Sequence, residues 1–193
     1  MNKPFSQACE NNKDPILAVL REHLGSGRLL EIGSGTGQHA AWLPAFLPGI
    51  DWQPSDVAEN LPGIRAWLDE GPSNVRLPLE LDVRGSWPDE TFEYIFTANT
   101  FHIMDTDSVR LCIRQAGEHL VRGGLFLIYG PFCYNGACAD SNARFDTSLR
   151  AQDPAMGLRD YTWIEECMRE ADFEPVADHA MPANNRILVF RRN

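Results

Sequence analysis

Between Arg28 and Leu43 the chain passes from an apolar run, Leu29-Leu30-Glu31-Ile32, through Gly33-Ser34-Gly35-Thr36-Gly37 into a helical stretch carrying His39, Trp42 and Leu43. Glycine tolerates positive φ and lets a ligand approach the backbone closely. A strand that turns into a helix through such a loop is the setting of nucleotide-type sites, and also of an ordinary tight turn. The neighbouring residues exclude two familiar loops. A dinucleotide loop, Gly-x-Gly-x-x-Gly, needs glycine or alanine at position 38, where Gln38 stands. A P-loop needs Gly-Lys-Ser/Thr, which is absent.

The rest of the chain alternates in the same way. Asp14-Pro15 reads as a helix start, with Ile16, Leu17, Leu20 and Leu24 on one face and Gly25 and Gly27 at its end. Strands are expected at Arg28–Ile32, Ile50–Ser55, Asn74–Leu81, Phe92–Ala98 and Leu125–Tyr129, the last with the continuous apolar character of a strand buried on both faces. Helices are expected at Val57–Asp69, Asp107–Leu120 and Tyr161–Ala171, with a short one at Ser141–Ala151 inside an otherwise irregular Pro131–Asp160. Phe173–His179 and Arg186–Arg191 read as a closing strand pair. Such alternation implies an α/β fold with a mostly parallel sheet covered by helices on both faces. Right-handed crossovers then bring the strand C-termini to one edge, where ligands bind.

Composition narrows the function. Across 193 residues, 17 Lys plus Arg against 27 Asp plus Glu give a net charge of −10, which argues against nucleic-acid or anionic-membrane partners. The longest charge-free run, Gly123–Ala139, is broken by Gly130, Pro131 and Asn135 and is too short to span a bilayer. The N-terminal residues carry no apolar signal core, so a cytoplasmic protein is expected. Cys9, Cys112, Cys133, Cys138 and Cys167 contain no Cys-x-x-Cys and are expected to be reduced thiols, with no cysteine-bound zinc.

Suitable residues recur at the expected strand ends. Asp56 closes the second strand, where a carboxylate can accept ribose hydroxyls or cap the next helix. Asp82, followed by Val83, closes the third, and Asn99 the fourth. Together with Glu31-x-Gly33-x-Gly35-x-Gly37, these positions resemble the class I S-adenosylmethionine (SAM) methyltransferases over nearly the whole chain. The resemblance implies a Rossmann-like fold with a seven-stranded, mostly parallel sheet of order 3-2-1-4-5-7-6, the last strand antiparallel. It implies SAM as cofactor, with Glu31, Gly33, Ser34, Gly35, Thr36 and Gly37 around its methionine and sugar. It further implies Asp56 on the ribose, Asp82 and Val83 at the adenine, and Asn99 at the methionine end.

A narrower likeness rests on Ser6–Leu17, Trp52-Gln53-Pro54-Ser55-Asp56, Tyr129-Gly130-Pro131-Phe132 and Met181-Pro182-Ala183-Asn184-Asn185. These segments resemble an uncharacterised family of small methyltransferase-like proteins labelled only as a domain of unknown function. Residues 1–193 are then expected to form a single domain, with 1–13 as an arm or lid.

Methyl transfer from a sulfonium needs alignment more than acid–base help, so a weak catalytic signature is expected. Asn99-Thr100-Phe101-His102 departs from the Asn/Asp-Pro-Pro-Tyr/Phe motif of enzymes that methylate base or amide nitrogens. His102 stands as a base or hydrogen-bond donor toward the methyl group, or as a histidine that fixes its loop. Its proximity to Asp105 and Asp107 is better explained by helix-start acids than by metal ligation, and no metal is expected. Tyr129 and Phe132 are candidate aromatic walls for a substrate, Asn142 a polar contact and Arg159 a carboxylate clamp. The resulting reading is a SAM-dependent methyltransferase with a small-molecule acceptor, its O, N or S nucleophile left open. The alternative is a SAM-binding or degenerate module acting through a protein partner.

Overall fold

The computed structural model describes residues 3–193. Its sheet runs through β1 (Gly27–Ile32), β2 (Ile50–Asp56), β3 (Leu79–Glu80), β4 (Phe92–Ala98), β5 (Leu120–Cys133), β6 (Arg159–Asp160), β7 (Phe173–Met181) and β8 (Asn185–Arg192). The order is β3-β2-β1-β4-β5-β8-β7, with the two-residue β6 paired to β5 off this path. The expected order is therefore present, and β6 makes the strand count eight rather than seven. β1 to β5 pair parallel with one another, whereas β8 pairs antiparallel with both β5 and β7.

Successive apolar residues of the central strands bury on opposite faces, which is why these strands show little polar alternation. Leu30, Ile95, Phe126 and Ile128 join one cluster with Val109, Ile113 and Ile164. Leu29, Phe96, Leu127 and Tyr129 join the other with Ile16, Leu20 and Leu43. The first cluster draws on α4 (Thr106–His119) and α6 (Tyr161–Glu170), the second on α1 (Gln7–His23) and α2 (Gln38–Trp42). α3 (Leu61–Leu68) and α5 (Asp140–Gln152) complete the helices. Among the described residues no helix is long and apolar enough to cross a membrane.

Four local expectations are corrected. The first helix starts at Gln7 rather than at Asp14-Pro15, with Ser6 as N-cap accepting from the Cys9 N–H at 3.4 Å and Pro15 inside the helix. Buried Asn12 bonded to His39 Nε2 at 2.8 Å holds the turn ahead of Pro15 in place. Most of the expected 1–13 arm is thus helix.

The expected third strand, Asn74–Leu81, is interrupted: Val75 bridges Trp52 and Leu79–Glu80 pair with Ser55–Asp56, while Pro78 between them has no N–H to donate and the Leu77 carbonyl accepts from Gln53 Nε2 at 2.8 Å. α3 begins at Leu61, not Val57, which puts Pro62 in the first turn, where a missing N–H costs nothing.

Cys133 and Cys138 form a disulfide rather than remaining reduced. Asn135 and Gly136 both have positive φ, 52° and 77°, as a tight hairpin turn demands. Tyr134 and Ala137 exchange hydrogen bonds across that turn at 2.8 and 3.0 Å, leaving Cys133 opposite Cys138 with Cα atoms 4.5 Å apart.

Candidate functional site

A cavity of about 790 Å³ opens at the C-terminal edge of β1, β2, β3 and β4. This is within the range of roughly 300–1,000 Å³ typical of small-molecule sites. Gly33, Ser34, Gly35 and Thr36 line it after β1, Asp56 at the end of β2, Asp82 and Val83 after β3, and Asn99 and His102 after β4. Residues distant in sequence converge here because parallel crossovers bring every one of these strand ends to one side.

The loop after β1 is held open by its backbone. Gly33 and Gly37 have φ of +71° and +88°. A Cβ on Gly33 would lie 2.2 Å from Thr100 Cγ2, and one on Gly37 would lie 2.7 Å from the Ile64 Cα. Gly37 itself caps α2 and does not reach the cavity wall.

Glu31 likewise stands behind the wall, fully buried. Its Oε2 accepts from Trp52 Nε1 and from Ser34 Oγ, each at 2.9 Å. Burial raises the carboxyl to about 7, the two donors oppose this, and Asp56 adds a further rise. Glu31 therefore anchors Ser34 and hence the loop.

Asp56 makes three bonds within the protein. Oδ2 accepts from the Gly35 N–H at 2.6 Å, while Oδ1 accepts from the Val57 N–H at 2.8 Å and from Asn60 Nδ2 at 2.9 Å. A carboxylate offers about four lone-pair positions, so roughly one is left for a ligand rather than the pair needed to take both ribose hydroxyls unaided. Asp82 turns its Oδ1 to the Arg84 N–H at 2.9 Å and is exposed on the cavity wall. Asn99 adopts φ of +60°, the left-handed region, with its N–H on the Tyr129 carbonyl at 2.9 Å. Strained backbone of this kind clusters at ligand sites.

His102 is buried and stands edge-on to Phe145, ring centroids 5.3 Å apart. Burial first, and the Arg159 charge second, lower its pKa to about 4. The imidazole is thus neutral at pH 7. Asp105, by contrast, is committed: it caps α4 through Ser108 N–H at 2.9 Å and is ion-paired to Arg84.

The four expected substrate contacts do not line the cavity. Arg159 is buried, and its guanidinium donates to the carbonyls of Phe101 and Ala155, each at 3.1 Å, and to that of Met104. It cannot clamp a substrate carboxylate from there; it braces the loop that carries His102. Phe132 packs in the core. Tyr129 is buried in the opposite cluster. Asn142 is buried and donates to the Asn184 carbonyl at 3.0 Å, which docks the β7–β8 turn on α5.

Other residues take those places. Ile103, Met104, Phe145 and Ala155 form an apolar mouth beside His102. Ser6, the N-cap of α1, and Ala8 and Cys9 from its first turn close the loop side, and His39 sits behind them. Gln38 explains how α1 reaches the site: its Oε1 accepts from the Ser6 N–H and from Thr36 Oγ1, the latter at 3.1 Å. The residue that rules out a dinucleotide loop is the one that ties the N-terminal segment to the glycine turn. His39, buried against Asn12, is lowered to about 4 by desolvation and stays neutral.

The sequence matches, over residues 3–192, the family described as "Protein of unknown function (DUF938)". The chain belongs to the DUF938 family. Its fold is shared with solved methyltransferases. An O-methyltransferase family protein from Burkholderia thailandensis superposes with a TM-score of 0.82 at 17% identity, covering 96% of this chain and 57% of that one. Human N-acetylserotonin methyltransferase in complex with SAM gives 0.83 at 14% identity, covering 97% and 53%. An O-methyltransferase family 2 protein from Planctomyces limnophilus in complex with apigenin gives 0.81 at 14%, covering 96% and 60%. At such identities the likeness is one of fold. The DUF938 chain spans little more than half the length of these proteins.

Proposed function

We propose that this DUF938 protein is a SAM-dependent methyltransferase acting on a small-molecule acceptor by in-line displacement. The observation that carries the proposal is the convergence of Gly33, Gly35, Asp56, Asp82 and Asn99 on one cavity at the ends of successive strands. When bound, SAM supplies a methyl group already activated by a positive sulfur. The cavity's charge suits it. Asp56, Asp82, Asp105 and Asp153 line the wall, and Arg84, the one Lys or Arg among the described lining residues, is paired with Asp105. A cation is favoured there and a pyrophosphate is opposed, which also argues against a nicotinamide dinucleotide.

In this reading the remaining Asp56 acceptor position takes a ribose hydroxyl, and Asp82 faces the adenine amino group. The glycine loop admits the ligand close to the backbone. His102, neutral and adjacent to the apolar mouth, accepts a proton from the acceptor or hydrogen-bonds to it. Ile103, Met104 and Phe145 exclude water and orient an apolar acceptor, and alignment supplies most of the rate. The apigenin complex among the fold neighbours makes hydroxylated aromatics the first acceptors to try.

The test is incubation of the purified protein with methyl-deuterated SAM and panels of phenols, amines and thiols, read by mass spectrometry. A product heavier by one labelled methyl group, with matching S-adenosylhomocysteine, is expected. SAM bound at the site with no transfer to any panel would reject the enzyme and leave a SAM-binding module that works through a protein partner.

A further inference from the structure

Away from the cavity, two histidines 156 residues apart bring their Nε2 atoms to 2.7 Å. His23 is the last residue of α1, and His179 lies on β7, the strand at the end of the sheet order. Their rings stand nearly perpendicular, 76° between planes with centroids 5.0 Å apart, and the two Nε2 atoms face each other between the rings. The Glu22 carboxylate joins them, and one ligand atom from each of the three residues lies within 4.8 Å of the others. Glu22 is exposed and both histidines are half-buried.

We propose that Glu22, His23 and His179 bind a divalent transition-metal ion, zinc foremost. Two Nε2 atoms at this distance are compatible only if one carries a hydrogen that the other accepts. An ion between them serves both lone pairs at once. Ligand bonds of ~2.0–2.1 Å at a tetrahedral ion separate the two nitrogens by roughly 3.3 Å, so on binding the half-buried rings part from the 2.7 Å between them here and turn toward the ion. The imidazole that donates in the free pair moves its proton to Nδ1 on binding, so the two rings release no net proton. Two imidazoles and one carboxylate are a ligand set for zinc, copper or nickel rather than for magnesium or calcium, which prefer oxygen. The exposed side leaves water to complete the shell. The ion ties the C-terminal end of α1 to the edge of the sheet. Residues near the other end of that helix, Ala8 and Cys9, line the cavity.

The experiment uses the full chain, stripped by dialysis against a chelator and titrated with zinc chloride in a calorimeter. Imidazole nitrogen NMR of the ¹⁵N-labelled protein follows the chain's five histidines in parallel. We expect saturation near one equivalent. The Nε2 resonances of His23 and His179 should move, while those of His39, His102 and His119 stay in place. His23→Gln and His179→Gln should each weaken binding at least tenfold. The absence of a saturable equivalent, unmoved His23 and His179 resonances in the wild type, or variants that bind as tightly as the wild type would each overturn the site. The NMR arm needs no variant to fold.

Discussion

Replacing Glu31 by Gln isolates the energetics of the buried carboxyl behind the glycine loop. The folded protein holds this group protonated up to about 7, against 4.5 when it is free. Between those values the folded state keeps a proton that the unfolded chain has released, so stability falls as pH rises through the window and levels off above it. At about 1.4 kcal/mol per pH unit the full effect is about 3 kcal/mol, and between pH 5 and pH 8 roughly 2–3 kcal/mol of it appears. Gln keeps an acceptor for Trp52 Nε1 and Ser34 Oγ and cannot ionise. The stability of Glu31→Gln relative to wild type should therefore rise by roughly 2–3 kcal/mol from pH 5 to pH 8. Two histidines tilt the background the other way: His39 and His102, lowered from 6.5 to about 4, cost stability as pH falls from 6.5 toward 4 in both proteins. The difference between variant and wild type cancels them. Urea unfolding at pH 5, 6, 7 and 8 measures it. A difference that stays flat across that range would mean that Glu31 ionises normally in the fold and that desolvation does not govern it.

Three other perturbations address the site. Gly33→Ala should cost about 1–3 kcal/mol from its positive φ and more from overlap with Thr100 Cγ2; adding Thr100→Ser should recover the overlap portion in thermal melts, and no recovery would refute the packing. Asp56→Ala should weaken S-adenosylhomocysteine binding at least tenfold and lower the melting temperature, because three protein donors lose a charged acceptor worth about 1.5–3 kcal/mol each; unchanged affinity in a folded variant would remove Asp56 from the ribose. His102→Ala should keep SAM affinity within about twofold and lower turnover, and any acid limb that His102 sets in the rate profile should fall near pH 4; unaffected turnover would make His102 a loop residue.

The edge where residues converge was legible because it follows from alternation and from the handedness of crossovers; the strand order was legible only through the methyltransferase resemblance. Asp56, Asp82 and Asn99 reach the cavity because each ends a strand on that edge. Side-chain direction was not legible. Tyr129 and Phe132 lie on the same strand, which runs on to Cys133, and point into opposite cores, and Arg159 is drawn inward by three carbonyls, from Phe101, Met104 and Ala155, that no local pattern reveals. The start of α1 was masked by Asp14-Pro15, a strong local signal overridden by the tertiary bonds of Asn12 and Ser6. Asn135-Gly136, by contrast, is a hairpin signature that could have paired Cys133 with Cys138 from sequence alone. The His23–His179 pair leaves no spacing signal, since its members lie at opposite ends of the chain.

Calorimetric titration of the purified chain with SAM, S-adenosylhomocysteine and NAD asks whether the cavity is a SAM site. Saturation by SAM and S-adenosylhomocysteine at one site, with NAD silent, is predicted; a thermal shift should accompany it, since ligand at about 100 times its dissociation constant adds about 2.7 kcal/mol. A cavity that binds neither SAM nor its product, or that takes NAD equally well, would contradict the account.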